Sequence, residues 1–449
     1  MDMPKSKLTR RQFLERSAAA GAVSAIAMPA IARRAYADAK PITVGTMPGP
    51  RWEGALKASA AAYEAKTGTH INLVVNPFTE HYQRIATTLA TDSSNFDVFV
   101  FDAALIGQSY GKLAPLNELM AADAAWQKYY LDGVPEVYRG SWSWDGVPYS
   151  VVHDANSMMA WWRTDIFAAN NLPVPATFQV MLDNAKKLGA IKKDSGFMTT
   201  ASRGAYLAVL YTGMMWAFGG KWWENDSPKA FGRVSKDSPP GAVLLDSPEN
   251  VAAMTMLRDL VAAGNPGSLN AQEFENNAAF LNDTLYQQLT WSGLMELQNP
   301  KIDPNFHDKL TSRDFPLGGS NTDASKTGIK GGFGLAIPKA SGQVKAAFDF
   351  CKFTVSAENA SAFIGGGGQP ANAMLLNEWS SKPGFQAFAT IAKGIVSGHH
   401  QAQFPEGGQF YDVISNNVAT VLTEGKNPAA ACAQMKTDTE ALLKRAGYI

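Results

Sequence analysis

The sequence predicts an α/β fold in two lobes, each assembled from discontinuous stretches of chain. Three observations carry that expectation. Short apolar strands alternate with helical patterns between Ile42 and Phe101. The stretch Gly146 to Phe167 joins two apolar strand segments through a polar interruption. Two later breaks, at Gly331–Lys339 and at Gly365–Gly368, offer the chain further crossings.

The elements follow in order. Ile42-Thr43-Val44-Gly45 is a short strand ending in a Met-Pro-Gly-Pro loop, and Trp52 to Lys66 reads as a helix closed by Gly68. Ile71 to Val75 is a second strand, Glu80 to Ala90 a second helix, and Phe96 to Phe101 a third strand. Such alternation within sixty or so residues means a parallel sheet with helices on its faces. Asp102 falls just past the third strand, at the edge where open α/β sheets place their ligands.

The central stretch opens on a turn, Asp145-Gly146 with Pro148, and continues through Val151-Val152. His153, Asp154 and Asn156 interrupt it before the apolar run Met158 to Trp162. We read a strand that leaves one core, crosses a wet gap and enters a second core, with Asp154 facing a cleft. Trp161-Trp162 is expected in the core.

Beyond this, Thr177 caps a helix through Leu188, and Met214 to Trp223 is rich in aromatic residues and glycine. Ser247-Pro248-Glu249 starts a helix with proline at its first position, which stops at Gly264. Leu289 to Gly293 reads as a strand end with a turn, and Gly331 to Lys339 as a second crossover. Gln343 to Val355 is an amphipathic helix, Gly365–Gly368 a third break and hinge, and Asn427-Pro428 starts one of the last helices. The expected lobes are residues 38–152 with 334–370, and 153–333 with 371–449.

Residues 1–37 read as a leader rather than as fold. Thr9-Arg10-Arg11-Gln12-Phe13-Leu14 is a twin-arginine pattern, Ser17 to Ile31 is weakly apolar, and Ala35-Tyr36-Ala37 supplies a small-x-small cleavage site. Without the leader's seven basic and two acidic residues, 33 basic and 38 acidic residues remain. That mild acidity, with no basic block, argues against a nucleic-acid partner. A soluble exported chain with no cysteine near its leader fits a periplasm. The mature region has no apolar run of about 18 residues, the length a membrane span needs.

Several chemistries find little support. Cys351 and Cys432 could pair after export, but their helical patterns favour buried thiols. Glu80-His81 and His399-His400 lack metal-ligand spacing, and the glycine runs do not form a dinucleotide fingerprint, so no cofactor is expected. Gly107 to Gly111 matches G-x-S-x-G, which would make Ser109 the nucleophile of an exported serine hydrolase. That elbow needs its serine on a tight turn directly between strand and helix, whereas Asp102 to Ile106 intervene here.

Taken in order, several blocks resemble the sugar-type extracellular solute-binding proteins of ABC importers, similar to maltose-binding protein. They are Phe96–Asp102, Gly111–Leu116, Asp145–Asp154, Trp162–Phe167, Phe218-Gly219-Gly220, Trp291-Ser292-Gly293 and Gly331–Lys339. Two positions depart from the pattern: Val180 stands where a capping glutamate is usual, and Asn372 where arginine is common. The resemblance implies a periplasmic binding protein fold of type II, with two lobes closing about a hinge on one solute. It also implies delivery to an inner-membrane ABC permease by a monomer, with no chemistry done on the ligand.

A sugar or polyol offers paired hydroxyls to carboxylates and apolar faces to aromatic rings. Asp102 and Asp154 are the polar candidates, and Trp291 is the stacking candidate. Arg51 and Trp52 follow the first strand in a Pro-Gly loop; Trp216, Trp222 and Tyr411 are further aromatic candidates. A glycerol phosphate or another small anion is the alternative solute.

Overall fold

The structure, a computed structural model, describes residues 40–227, 230–298, 306–323 and 328–449. The expected leader lies outside them. The described residues form two compact units, one made of residues 40–155 with Gly332–Trp379, the other of Asn156–Gly331 with Ser380–Ile449.

In the first unit the strand order is Ile71–Val75, Ile42–Thr46, Val98–Asp102, Lys330–Ala336, Ser150–Arg163, the last two continuing into the other unit. The first three are parallel, with Ile42 opposite Ile71 and Val44 opposite Val98. Lys330–Ala336 runs antiparallel to the third, with Phe333 opposite Asp102 and Ala336 opposite Phe99. Central strands covered on both faces read as continuous apolar runs, as in Val98 to Phe101, all buried. Helix Ala55–Thr67 buries Leu56 and Tyr63, and the Tyr63 ring meets Phe350 of helix Val344–Thr354 at 5.4 Å. The helix ends where Gly68 takes the left-handed conformation, φ 74°, which glycine adopts without a Cβ penalty.

In the second unit the later part of Ser150–Arg163 pairs antiparallel with Gln287–Trp291, placing Met158 opposite Trp291 and Trp162 opposite Gln287. Leu310–Arg313 also pairs with it, and Met198–Thr199 lies parallel to Gln287–Trp291. Helix Ala205–Ala217 is buried throughout from Leu207 onward, as its nearly unbroken apolar sequence requires. Helices Phe178–Ile191, Pro248–Ala263, Gly407–Glu424 and Pro428–Ala446 complete the layer. Their starts are those the sequence signals: Thr177 accepts from the Val180 amide, Ser247 from the Asn250 amide, and Asn427 from the Ala429 amide.

One expectation is corrected. The crossing expected to be wet at 153–156 is buried. Ser150–Arg163 is continuous over 14 residues and buried at every position. Two of the polar side chains are satisfied within their own unit. Asp154 is held by Arg51, and Asn156 accepts from both the Ser292 hydroxyl at 2.6 Å and the Ser292 amide at 3.1 Å. Cys351 and Cys432 are free and buried, in different units. Trp161 and Trp162 are core residues.

Candidate functional site

Arg51 lies in a short π-helical turn, Pro50–Gly54, directly after strand Ile42–Thr46. Gly49 enters that turn with φ 115°, a conformation side chains rarely adopt. Single π-turns recur at functional sites because they re-aim one side chain. Here the aimed side chain is Arg51, 2% exposed, and its target is Asp154, 0% exposed. Arg51 Nε donates to Asp154 Oδ1 at 2.7 Å and Nη2 donates to Oδ2 at 2.5 Å. This two-pronged geometry is the one a guanidinium and a carboxylate make best.

Three aromatic groups brace the pair. The Arg51 guanidinium lies 5.2 Å from the Trp52 ring centre and 5.9 Å from that of Phe333. Trp52 meets Phe333 edge-on at 5.8 Å. Tyr138 donates its hydroxyl to the Asp154 carbonyl at 2.9 Å. Burial pushes the Asp154 carboxyl above its ordinary range, opposed by Arg51 and by the Phe333 amide, which donates to it.

Asp102 sits across the strand from Phe333. Its carboxylate caps the turn that follows, accepting from the Ala104 amide at 2.9 Å, and accepts the Tyr82 hydroxyl at 2.8 Å. Burial raises its carboxyl too, with these two hydrogen bonds acting the other way. Four of the eight residues singled out in the sequence therefore converge: Arg51, Trp52, Asp102 and Asp154. Phe333, which the sequence reading passed over, stands at their centre.

The other four belong to the second unit. Trp291 ends its strand with 8% exposure, and its ring lies against Gly331, where an added Cβ would stand 2.9 Å from it. Asn156 and Ser292 lie beside it. Trp216 stacks on His399 at 4.1 Å and donates its indole N–H to Asp226 at 3.1 Å. Trp222 is fully buried, packed against Trp216 at 4.7 Å and Phe410 at 5.4 Å. The Tyr411 hydroxyl accepts from the Ala402 amide at 2.8 Å. Trp216, Trp222 and Tyr411 thus share one aromatic core layer, and tryptophan burial in such a layer needs no ligand.

Ser109 closes a four-residue helix, Ile106–Ser109, which a 3-10 turn separates from strand Val98–Asp102. That is not the direct strand-to-helix turn a nucleophile elbow needs. Among the described residues, no three His, Cys, Asp or Glu side chains are grouped to hold a metal ion, and no helix is long and apolar enough to cross a membrane.

Known proteins share this architecture. The chain is 23% identical over 421 residues to the Sinorhizobium fredii protein named "Probable amino-acid ABC transporter periplasmic-binding protein y4oP", covering 88% of this chain and 90% of that one. An ABC transporter solute-binding protein from Agrobacterium radiobacter K84, solved in complex with ribitol, superposes with a TM-score of 0.74 at 23% identity. That match covers 90% of this chain and 99% of the other. Maltose-bound T. maritima MalE3 superposes with a TM-score of 0.77 at 19% identity, covering 90% and 100%. At such identities the two structures establish the fold, a two-lobe α/β solute-binding architecture. The family described as "Bacterial extracellular solute-binding protein" matches residues 49–361, most of the chain. The chain belongs to that bacterial extracellular solute-binding protein family.

Proposed function

We propose that this protein captures a carbohydrate or polyol in the periplasm and delivers it to an inner-membrane ABC permease. The observation that carries this reading is the convergence of Asp102, Trp52 and the Arg51–Asp154 pair around Phe333, at the carboxyl ends of parallel strands. A half-buried carboxylate accepts hydrogen bonds from hydroxyls, and an indole face receives a sugar's C–H surface. The ribitol and maltose bound to the structural neighbours belong to the same chemical class.

Export by the twin-arginine route follows from Thr9 to Leu14 and Ala35 to Ala37. Capture by closure of two lobes about a hinge, with no chemistry on the ligand, completes the proposal.

The test is a thermal-shift screen of the purified protein against mono- and disaccharides, polyols, sugar acids, glycerol phosphates and amino acids. Amino acids belong in the panel because the name of the S. fredii relative gives them as its cargo. A ligand at a thousand times its dissociation constant stabilises the native state by about 4 kcal/mol, a readily visible rise in Tm. A sugar or polyol hit recovered unchanged supports the reading. A hit confined to amino acids or sugar acids overturns it, and so does conversion of the ligand to product.

A further inference from the structure

The solute's charge can be read from the first unit, given the binding role proposed above for the group around Phe333. The group holds one guanidinium and two carboxylates. Arg51 gives Asp154 its Nε and Nη2 hydrogens in a closed two-pronged pair, and both side chains are nearly excluded from solvent. The guanidinium charge is therefore already countered, its Nε/Nη2 edge is occupied by Asp154, and its remaining nitrogen, Nη1, is buried away from solvent. Asp102 is the more exposed of the two carboxylates, and its hydrogen-bond donors are neutral: the Ala104 amide and the Tyr82 hydroxyl. With both carboxylates ionised against one guanidinium, the group carries a net negative charge.

We propose that this constellation acts as a charge filter, admitting uncharged polyhydroxy solutes and rejecting anionic ones of the same shape. An incoming phosphate or carboxylate has two unfavourable routes. It meets Asp102 as a like charge in a partly desolvated site, or it displaces Asp154 from Arg51 and leaves that carboxylate buried without its cation. A hydroxyl meets neither obstacle, because it donates a hydrogen bond to the Asp102 carboxylate. Rejection of the anion is thus built into the partner choice of Arg51, and specificity arises from a repulsive element as much as from an attractive one. The arginine after the first strand, which by itself invites an anion, has its Nε/Nη2 edge committed to Asp154 and its Nη1 buried.

The experiment compares matched pairs that differ in charge at similar shape: ribitol with ribonate, mannitol with mannitol 1-phosphate, and glycerol with glycerol 3-phosphate. Affinities are measured at pH 8 by calorimetry on the wild-type protein and on two variants. In the wild type the neutral member of whichever pair binds is expected to be tighter by about tenfold to a hundredfold. Asp154→Asn releases the guanidinium and is expected to cut that preference at least about tenfold, or to reverse it. Asp102→Asn removes the less buried charge while keeping a side chain able to cap the turn, and is expected to move the preference in the same direction. If Asp154→Asn does not fold, the wild-type pairs and Asp102→Asn still decide the matter. An anionic member that binds the wild type as tightly as its neutral partner overturns the filter but leaves sugar and polyol capture standing. So does a folded variant with an unchanged preference. Failure of every neutral and anionic member to bind the wild type overturns the capture reading itself, and the filter with it.

Discussion

Arg51 and Asp154, 103 positions apart, form a two-pronged ion pair closed to solvent within one unit. Such a pair contributes little net stability, because the desolvation of two charges offsets their attraction, but breaking it leaves a bare charge in the interior. Arg51→Ala and Asp154→Ala are each expected to lower stability by about 3–5 kcal/mol. The double variant Arg51→Ala with Asp154→Ala should lose far less than the sum of the two single losses. Urea denaturation of the four proteins of this cycle measures the coupling, and additive losses would contradict the description of the pair.

Gly332 stands beside that pair in a strand, with φ 105°. A Cβ there would come within 2.0 Å of the Tyr138 hydroxyl and 2.4 Å of the Asp154 carbonyl, the two atoms that hydrogen-bond each other. Gly332→Ala therefore faces both an unfavourable φ and a collision with a buried hydrogen bond. A loss above about 1 kcal/mol is expected. Tyr138→Phe, which removes only the hydrogen bond, should cost about 1 kcal/mol. Thermal melts that ranked Tyr138→Phe as the more damaging would reverse this account.

Much of this arrangement was legible beforehand, and the missing parts have physical causes. Helix starts at Thr177, Ser247 and Asn427 were readable because capping is local chemistry. Strand alternation placed Asp102 at a sheet edge for the same reason. The partnership of Arg51 with Asp154 was not readable: it spans most of a domain's length in sequence, and a polar run within an apolar strand looks solvated unless its partner is known. Phe333 was passed over as one apolar residue in a crossover. Its signal was the glycine on either side, Gly332 and Gly334, which make room for Tyr138 and Trp142. Trp222 illustrates the opposite limit, since aromatic residues beside glycines serve a core as well as a ligand.

Asn156 and Ser292 make the corresponding polar contact in the second unit. The amide oxygen of Asn156 accepts two donors from Ser292, its hydroxyl and its backbone N–H. Ser292→Ala keeps the backbone donor, so its cost should stay near about 1 kcal/mol. Asn156→Ala strips the acceptor from a buried amide and a buried hydroxyl at once, and about 1–3 kcal/mol is expected. Equal losses in chemical denaturation would mean that the backbone contact contributes nothing.

Asp226 supplies a pH test. It is 6% exposed, and burial raises its carboxyl from the ordinary 3.8 to about 6, despite the Trp216 indole N–H and other donors. The folded state thus holds a proton that the unfolded chain releases at lower pH. With the native pKa above the unfolded one, stability from this group is complete below about pH 4, falls as the pH rises through about 6, and is level above that. Asp226→Asn removes the ionisation and keeps an oxygen for the Trp216 N–H. The variant should match the wild type near pH 4 and exceed it above pH 6 by about 1–3 kcal/mol. Urea denaturation of both proteins at pH 4, 5, 6, 7 and 8 gives the difference directly. A wild-type advantage that grew with pH would mean that the ionised carboxylate is the form the Trp216 contact holds.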